Sequence, residues 1–356
     1  MQDRFKPRWA TCAVLAALTF TNAASGMAAE SGHLLETGSS LLYPLFNLWV
    51  PVYTKAHSGM QITTQSTGSG TGISQAVSGV AQIGASDAYL SNALMKQHPD
   101  MLNIPLAISS QMVNYNIPGL NGDHLKLSGP VLSGIYDGHI TKWNDPAIAR
   151  LNPGVKLPGN TIVPIHRTDG SGDTFIFSQY LSDSTPSWAK SVSYGTTISW
   201  PAVSGGLGAE GNPGMVNALK QTPFSIAYIG ISFKGATDDA KMGEAMLANR
   251  AGKFVMATTK TVQAAAASMV AKTPKDERIS LIFAAGPQAY PIINYEYAIV
   301  KADQANAQTA QDAKAFLHWA IEGNGGNAPG FMKQVSFVPL PPSVRKLSDA
   351  NIDKIH

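Results

Sequence analysis

The sequence predicts an α/β protein in two lobes, each a mixed sheet flanked by helices, with two strands crossing between them. Three observations point there. At 356 residues, 44% of them hydrophobic, the chain is too long for one ordinary domain and can fill two cores. Strand-like runs alternate with helical periodicities. Two similar strand-like segments, Ile104 to Asn116 before a Pro118-Gly119 break and Pro291 to Val300, read as the crossings. One lobe is then residues 30–115 with 291–356, and the other is residues 116–290.

The chain starts with Arg4, Lys6 and Arg8 before an apolar run from Trp9 to Phe20, and small residues follow up to Ala28. This pattern predicts a cleavable secretory signal over residues 1–28, because the run is too short to span a bilayer as a helix. Cys12, the sole cysteine, lies inside it, so the mature chain is expected to carry neither a disulfide nor a lipid anchor.

Three Gly/Ser runs each open into a helical pattern: Gly38-Ser39-Ser40, Gly68-Ser69-Gly70-Thr71-Gly72 and Asp169-Gly170-Ser171-Gly172-Asp173. Leu45, Leu48, Trp49, Val52 and Tyr53 follow the first at helical spacing, with a kink expected at Pro51. Ile73, Ala76, Val77 and Val80 follow the second; Phe177, Tyr180 and Leu181 follow the third. The first N–H groups of a helix lack internal acceptors and carry partial positive charge, so such ends can hold an oxyanion without a metal.

Two charges fall beside these runs. A strand over Ala81 to Ala85 delivers Asp87, and a strand over Ile162 to Ile165 delivers His166 and Arg167, both at strand ends where ligands of open α/β sheets bind. An arginine fork suits a tetrahedral anion, whereas a carboxylate repels one unless the anion brings a proton to donate. Phosphate has that proton, and sulfate at neutral pH does not.

These segments, from Thr37-Gly38-Ser39-Ser40-Leu41-Leu42-Tyr43-Pro44 and Gly84-Ala85-Ser86-Asp87 through Arg167-Thr168-Asp169-Gly170-Ser171-Gly172 to Gly211-Asn212 and Phe337-Val338-Pro339-Leu340-Pro341, closely resemble the substrate-binding proteins of ABC-type phosphate importers. The resemblance runs in order over almost the whole mature chain. It implies a type II periplasmic-binding-protein fold of the Venus-flytrap kind, periplasmic and monomeric, that hands phosphate to membrane permease subunits without a cofactor or metal. It further implies that Ser40 and Ser69 donate hydroxyls, Leu41 and Gly172 backbone N–H groups, Ser171 both, and Arg167 its guanidinium. Asp87 would accept the phosphate proton, and Asp169 would orient Arg167. At Asp173 the chain has an acid where threonine commonly stands. Direct contact with the anion is expected there, and the alternative is pairing with Arg167 or capping the helix.

Composition narrows the function further. Charged residues make up 14% of the chain and form no basic tract suited to nucleic acid. Loss of the signal would remove three bases and one acid, leaving 23 against 22, a charge of about +1, so bulk charge does not recruit an anion. The eight histidines show no metal spacing, and His166 reads as structural. No serine has the flanking glycines of a nucleophile elbow, so an enzyme is not expected. Gly206 to Gly211 spells a dinucleotide fingerprint, but Asn212-Pro213-Gly214 follows at once and a loop is expected. Two alternatives stay open: a binding protein for another oxyanion, and a phosphate-ester hydrolase.

Overall fold

The computed structural model describes residues 32–356. The signal segment and Cys12 lie outside the described residues. Twelve strands follow in order: β1 His33–Gly38, β2 Gln61–Ser66, β3 Ile83–Ser86, β4 Met101–Asn116, β5 Lys126–Leu127, β6 Val163–Arg167, β7 Leu207–Ala209, β8 Ser225–Gly230, β9 Gly243–Glu244, β10 Met246–Ala248, β11 Phe254–Val255 and β12 Ile293–Lys301. The main sheet runs β2-β1-β3-β12-β4-β8-β6-β7, with β9 also on β4, while β5, β10 and β11 form a small separate sheet.

β4 holds the two halves together. Its residues Met101 to Ser110 pair antiparallel with β12, and Gln111 to Asn116 pair antiparallel with β8. On one side β1 lies parallel to β2 and β3, and on the other β6 lies parallel to β7 and β8. A 16-residue strand, buried along almost its entire length, thus serves two parallel groups whose carboxyl ends carry the turns of interest.

Each half has its own aromatic core. Phe46, Trp49, Tyr53, Phe316 and Trp319 interlock mainly edge to face at 5.0–6.4 Å, and the Trp49 indole donates to Gly326 O at 2.8 Å. In the other half the Phe177 ring stacks on Tyr228 at 4.5 Å, with Tyr136 and Trp200 around them. Offset and edge-on contacts of this kind add to simple area burial.

The three expected helices form over Tyr43–Ala56, Ser69–Val77 and Gly172–Ser184. Two stripe positions differ from expectation. Val52 is 49% exposed because the buried face of its helix centres on Leu45, Phe46, Trp49 and Tyr53, and Val80 is 58% exposed because its helix stops at Val77. The first helix runs on as one element through Pro51, which forfeits the hydrogen bond its missing N–H would have made.

The loop expected over Gly206 to Gly211 is instead β7 followed by a helix, Gly211–Gln221. Gly211 sits at φ +61°, a left-handed turn that glycine adopts without strain, so the chain leaves the strand and enters the helix within two residues. The sheet thereby gains a fourth strand-to-helix turn beside the other three.

Candidate functional site

All eight expected contact residues are buried, and they gather where the turns after β1, β2, β3 and β6 meet. The helix starts come into close contact. Gly70 N–H donates to Gly170 O at 2.8 Å, joining the second Gly/Ser run to the third. A methyl group placed on Gly172 would lie 2.3 Å from Asp87 Oδ2 and 2.5 Å from Ser69 Oγ, so only glycine fits between them. Asp87, Ser69 and the start of the Gly172 helix therefore face one another directly.

Asp87 is held from several sides. Ser39 Oγ donates to its Oδ1, Ser69 Oγ lies 3.4 Å from Oδ2, and Asp87 N–H donates back to Ser69 Oγ at 3.2 Å. Burial, then the negative charge of Asp173, pushes the Asp87 carboxyl up to about 7, against the opposing pull of Glu296, Ser39 and Arg167.

Arg167 ends β6, and Tyr228 fixes its backbone by accepting Arg167 N–H at 2.9 Å. Its guanidinium donates through Nε to Asp169 Oδ1 at 2.7 Å, through Nη2 to Asp169 Oδ2, and through Nη1 to Asp173 Oδ2 at 2.8 Å. Burial would lower the Arg167 pKa, but the two carboxylates outweigh it and raise it, so the group stays charged. Burial would raise Asp169, yet Arg167 holds it below its ordinary value, and Gly211 N–H adds a donor at 3.2 Å. Of the five guanidinium N–H groups, three are committed to carboxylates, leaving two for another acceptor.

Asp173 pairs with protein donors. Its Oδ2 accepts from Arg167 and from Asn212 Nδ2 at 2.6 Å, and its Oδ1 accepts from Gln111 Nε2 at 3.0 Å. Both oxygens thus accept from protein donors, and the pairing with Arg167 given as the alternative is present. Burial nonetheless leaves its carboxyl raised.

Two expected donors are also engaged elsewhere. Leu41 N–H donates to Ser39 Oγ at 3.1 Å, because Ser39 caps the first helix start and also accepts from Leu42 N–H. Ser171 N–H donates to Thr196 O at 2.8 Å, while its Oγ caps the third helix by accepting from Thr174 N–H at 3.1 Å. The Ser171 hydroxyl hydrogen remains free to turn, and Gly172 N–H, first in its helix, has no intrahelical acceptor. Ser40 Oγ accepts from Asn212 N–H at 3.1 Å and from Asn212 Nδ2 at 2.9 Å.

Asn212, Ser39, Gln111 and Glu296 are the site members that residue-level reasoning passed over. Asn212 was hidden by the expected loop; it bridges Ser40, Asp173 and Gly230, whose N–H donates to its Oδ1 at 2.8 Å. Gln111 and Glu296 lie in β4 and β12, where a long polar side chain inside a buried strand is the available signal. His166 lies outside the cluster, stacked on Trp200 at 5.1 Å.

The arrangement gives one cation among several carboxyls, and that cation is already neutralised by its neighbours. An anion here would be held by hydroxyls, backbone N–H groups and the spare guanidinium donors. It would meet at least one acceptor, Asp87, and so would need a proton of its own.

Comparison with known proteins identifies the family. A family profile described as a PBP superfamily domain matches residues 23–324. The phosphate-binding protein PstS of Xylella fastidiosa strain 9a5c is 34% identical over 313 residues, 88% of this chain and 83% of that protein. PstS of Pasteurella multocida is 32% identical over 332 residues, 93% of this chain and 92% of that one. Among solved structures, the high-affinity periplasmic phosphate-binding protein PfluDING, bound with phosphate, shares the fold at a TM-score of 0.71 and 19% identity, over 89% of this chain and 93% of its own. With this identity to PstS over nearly the full length, the chain belongs to the PstS family of two-lobed periplasmic binding proteins.

Proposed function

We propose that this protein binds inorganic phosphate in the cleft between its lobes and presents it to the permease subunits of an ABC-type importer. The observation that carries this reading is the buried Asp87 acceptor, set against Ser69 and Gly172 where helix starts converge. Helix N-termini attract any small oxyanion, whereas a buried carboxyl admits only one that can donate a proton. The similarity to PstS proteins supports the same ligand.

In this reading the lobes are residues 30–115 with 291–356 and residues 116–290. Ser40, Ser69 and Asp87 approach phosphate from the first lobe, and Arg167, the Ser171 hydroxyl and Gly172 N–H approach it from the second. Asp169 orients Arg167, and Asp173 completes the guanidinium's charge pairing. The protein acts as a monomer in the periplasm after signal removal, and it binds without turnover. Charge-assisted hydrogen bonds contribute roughly 1.5–3 kcal/mol each, so a few of them beyond the ordering cost reach sub-micromolar affinity. Calorimetric titration of ligand-stripped protein with phosphate, arsenate and sulfate tests the reading. Phosphate and arsenate should bind; sulfate binding as tightly as phosphate would contradict it.

A further inference from the structure

Glu296 stands directly behind Asp87. β12 pairs antiparallel with β3 through Tyr297 opposite Ser86 and Ala298 opposite Ala85, and one step further along this register sets Glu296 against Asp87. At this point the pairing of β12 with β4 slips: Glu296 faces Ala107 and Tyr297 faces Pro105, so Leu106 is an extra residue in β4. Bulges of this kind re-aim a side chain, and Pro105, which has no N–H to give the ladder, suits the interruption.

The Glu296 side chain is fully buried, and its carboxyl lies within hydrogen-bonding reach of the Asp87 carboxyl. Its Oε1 accepts from Ser109 Oγ and from Asn294 Nδ2 at 3.0 Å, and the same Asn294 amide also donates to Asp87 O at 3.2 Å. No donor among the described residues reaches Oε2. Two carboxylates cannot hydrogen-bond to each other without a proton between them, and an oxygen with no donor aimed at it is the natural place for that proton.

We propose that Glu296 is a positioning residue for anion selectivity: it keeps its proton on Oε2 and donates it to Asp87 from the side away from the cleft, so that Asp87 stays an ionised acceptor towards the ligand. The proposal rests on the reading that Asp87 faces the anion. Burial and the neighbouring Asp87 both raise the Glu296 carboxyl, in keeping with its being neutral. The other charged groups acting on Asp87 are Asp173, which disfavours its ionisation, and Arg167, which favours it. Without the donor behind it, Asp87 would retain its own proton more readily, accept less well from phosphate, and lose its reason to reject an unprotonated anion.

Three variants test this by titration with phosphate and sulfate. Glu296→Gln keeps an N–H aimed at Asp87 and an oxygen for Ser109 and Asn294, so its phosphate dissociation constant should stay within about 3-fold of wild type, with sulfate still rejected. Glu296→Met keeps the bulk and loses the donor. It should bind phosphate at least about 10-fold more weakly, the loss of one hydrogen bond to a charged group, and it should begin to take sulfate. Folded Gln and Met variants that behave alike, whether both normal or both impaired, would overturn the proposal. Asp87→Asn separates the two readings: if it leaves phosphate and sulfate binding unchanged, the placement of Asp87 fails first. Should the Met variant not fold, infrared difference spectroscopy of wild type against Glu296→Gln at neutral pH decides the matter. A protonated carboxyl band present in wild type and missing in Gln is expected, and its absence from wild type would refute the proton on Glu296.

Discussion

Asp87 and Arg167 show how differently two charged residues can be read from a sequence. Both were legible as candidate site members, since each stands at the carboxyl end of a strand. The residues around them were not, because Glu296, which bears on Asp87, and Asn212 and Gln111, which donate to Asp173, come from distant strands and helices that only the fold assembles. The carboxyl of Asp87 is raised to about 7, well above the unfolded range near 4. A carboxyl raised on folding favours the native state below its unfolded pKa, and that contribution fades as pH rises through the folded one. Ligand-free wild type should therefore lose roughly 2–4 kcal/mol relative to Asp87→Asn between about pH 4 and pH 7. Urea denaturation of both proteins across that range checks this, and parallel pH profiles would show that Asp87 does not carry the burden. The same variant should bind phosphate somewhat more weakly and admit sulfate, because an amide can donate where a carboxylate cannot.

Arg167 stands differently from what its place in the sequence suggests. With Asp169 and Asp173 both leaning on it, removal of the guanidinium would strand one buried carboxylate, Asp173, and one half-buried, Asp169. Arg167→Ala is expected to destabilise the ligand-free fold by about 3–5 kcal/mol as well as weaken phosphate binding. Differential scanning calorimetry of the ligand-free variant reads this directly. A melting temperature equal to wild type would mean that the pairing network contributes little to the fold.

At the scale of elements, the helix starts were the most legible part of the chain. Ser and Gly before an apolar periodicity mark an N-cap locally, and three of the four turns were found that way. The fourth, β7 into the Gly211–Gln221 helix, was missed because Pro213 and Gly214 read as loop, although proline within a first helical turn is well tolerated. The long strand β4 was foreseen as a crossing, but not its register slip at Leu106, which no local pattern encodes. The packing of one helix start against another makes its own prediction. Gly172 lies in its helix at ordinary negative φ, so alanine there is no local strain, yet its methyl would press on Asp87 and Ser69. Gly172→Ala should hold the two sides of the cleft apart and cut phosphate affinity by at least about 10-fold, at little cost to the helix itself. Wild-type affinity in that variant, measured by titration, would show that the contact between Gly172 and Asp87 does not persist when phosphate binds.

For the whole molecule, length, the alternation of strands and helices, and two similar strand segments were enough to foresee a two-lobed α/β architecture. What they did not reveal is that one sheet runs through both halves by way of β4, with the site at the carboxyl ends of its two parallel groups. That continuity sets Glu296 of β12 beside Asp87, so in the proposed reading the ligand's proton acceptor leans on one of the two strands expected to cross between lobes. Phosphate that touches both lobes should favour the closed form, since only closure makes both sets of contacts. The central claim is that the anion bridges the lobes, and small-angle scattering of ligand-stripped protein with and without saturating phosphate tests it most directly. The account predicts a smaller radius of gyration with phosphate in wild type and a weaker or absent contraction in Gly172→Ala; superimposable wild-type curves under conditions where calorimetry shows phosphate bound would contradict it.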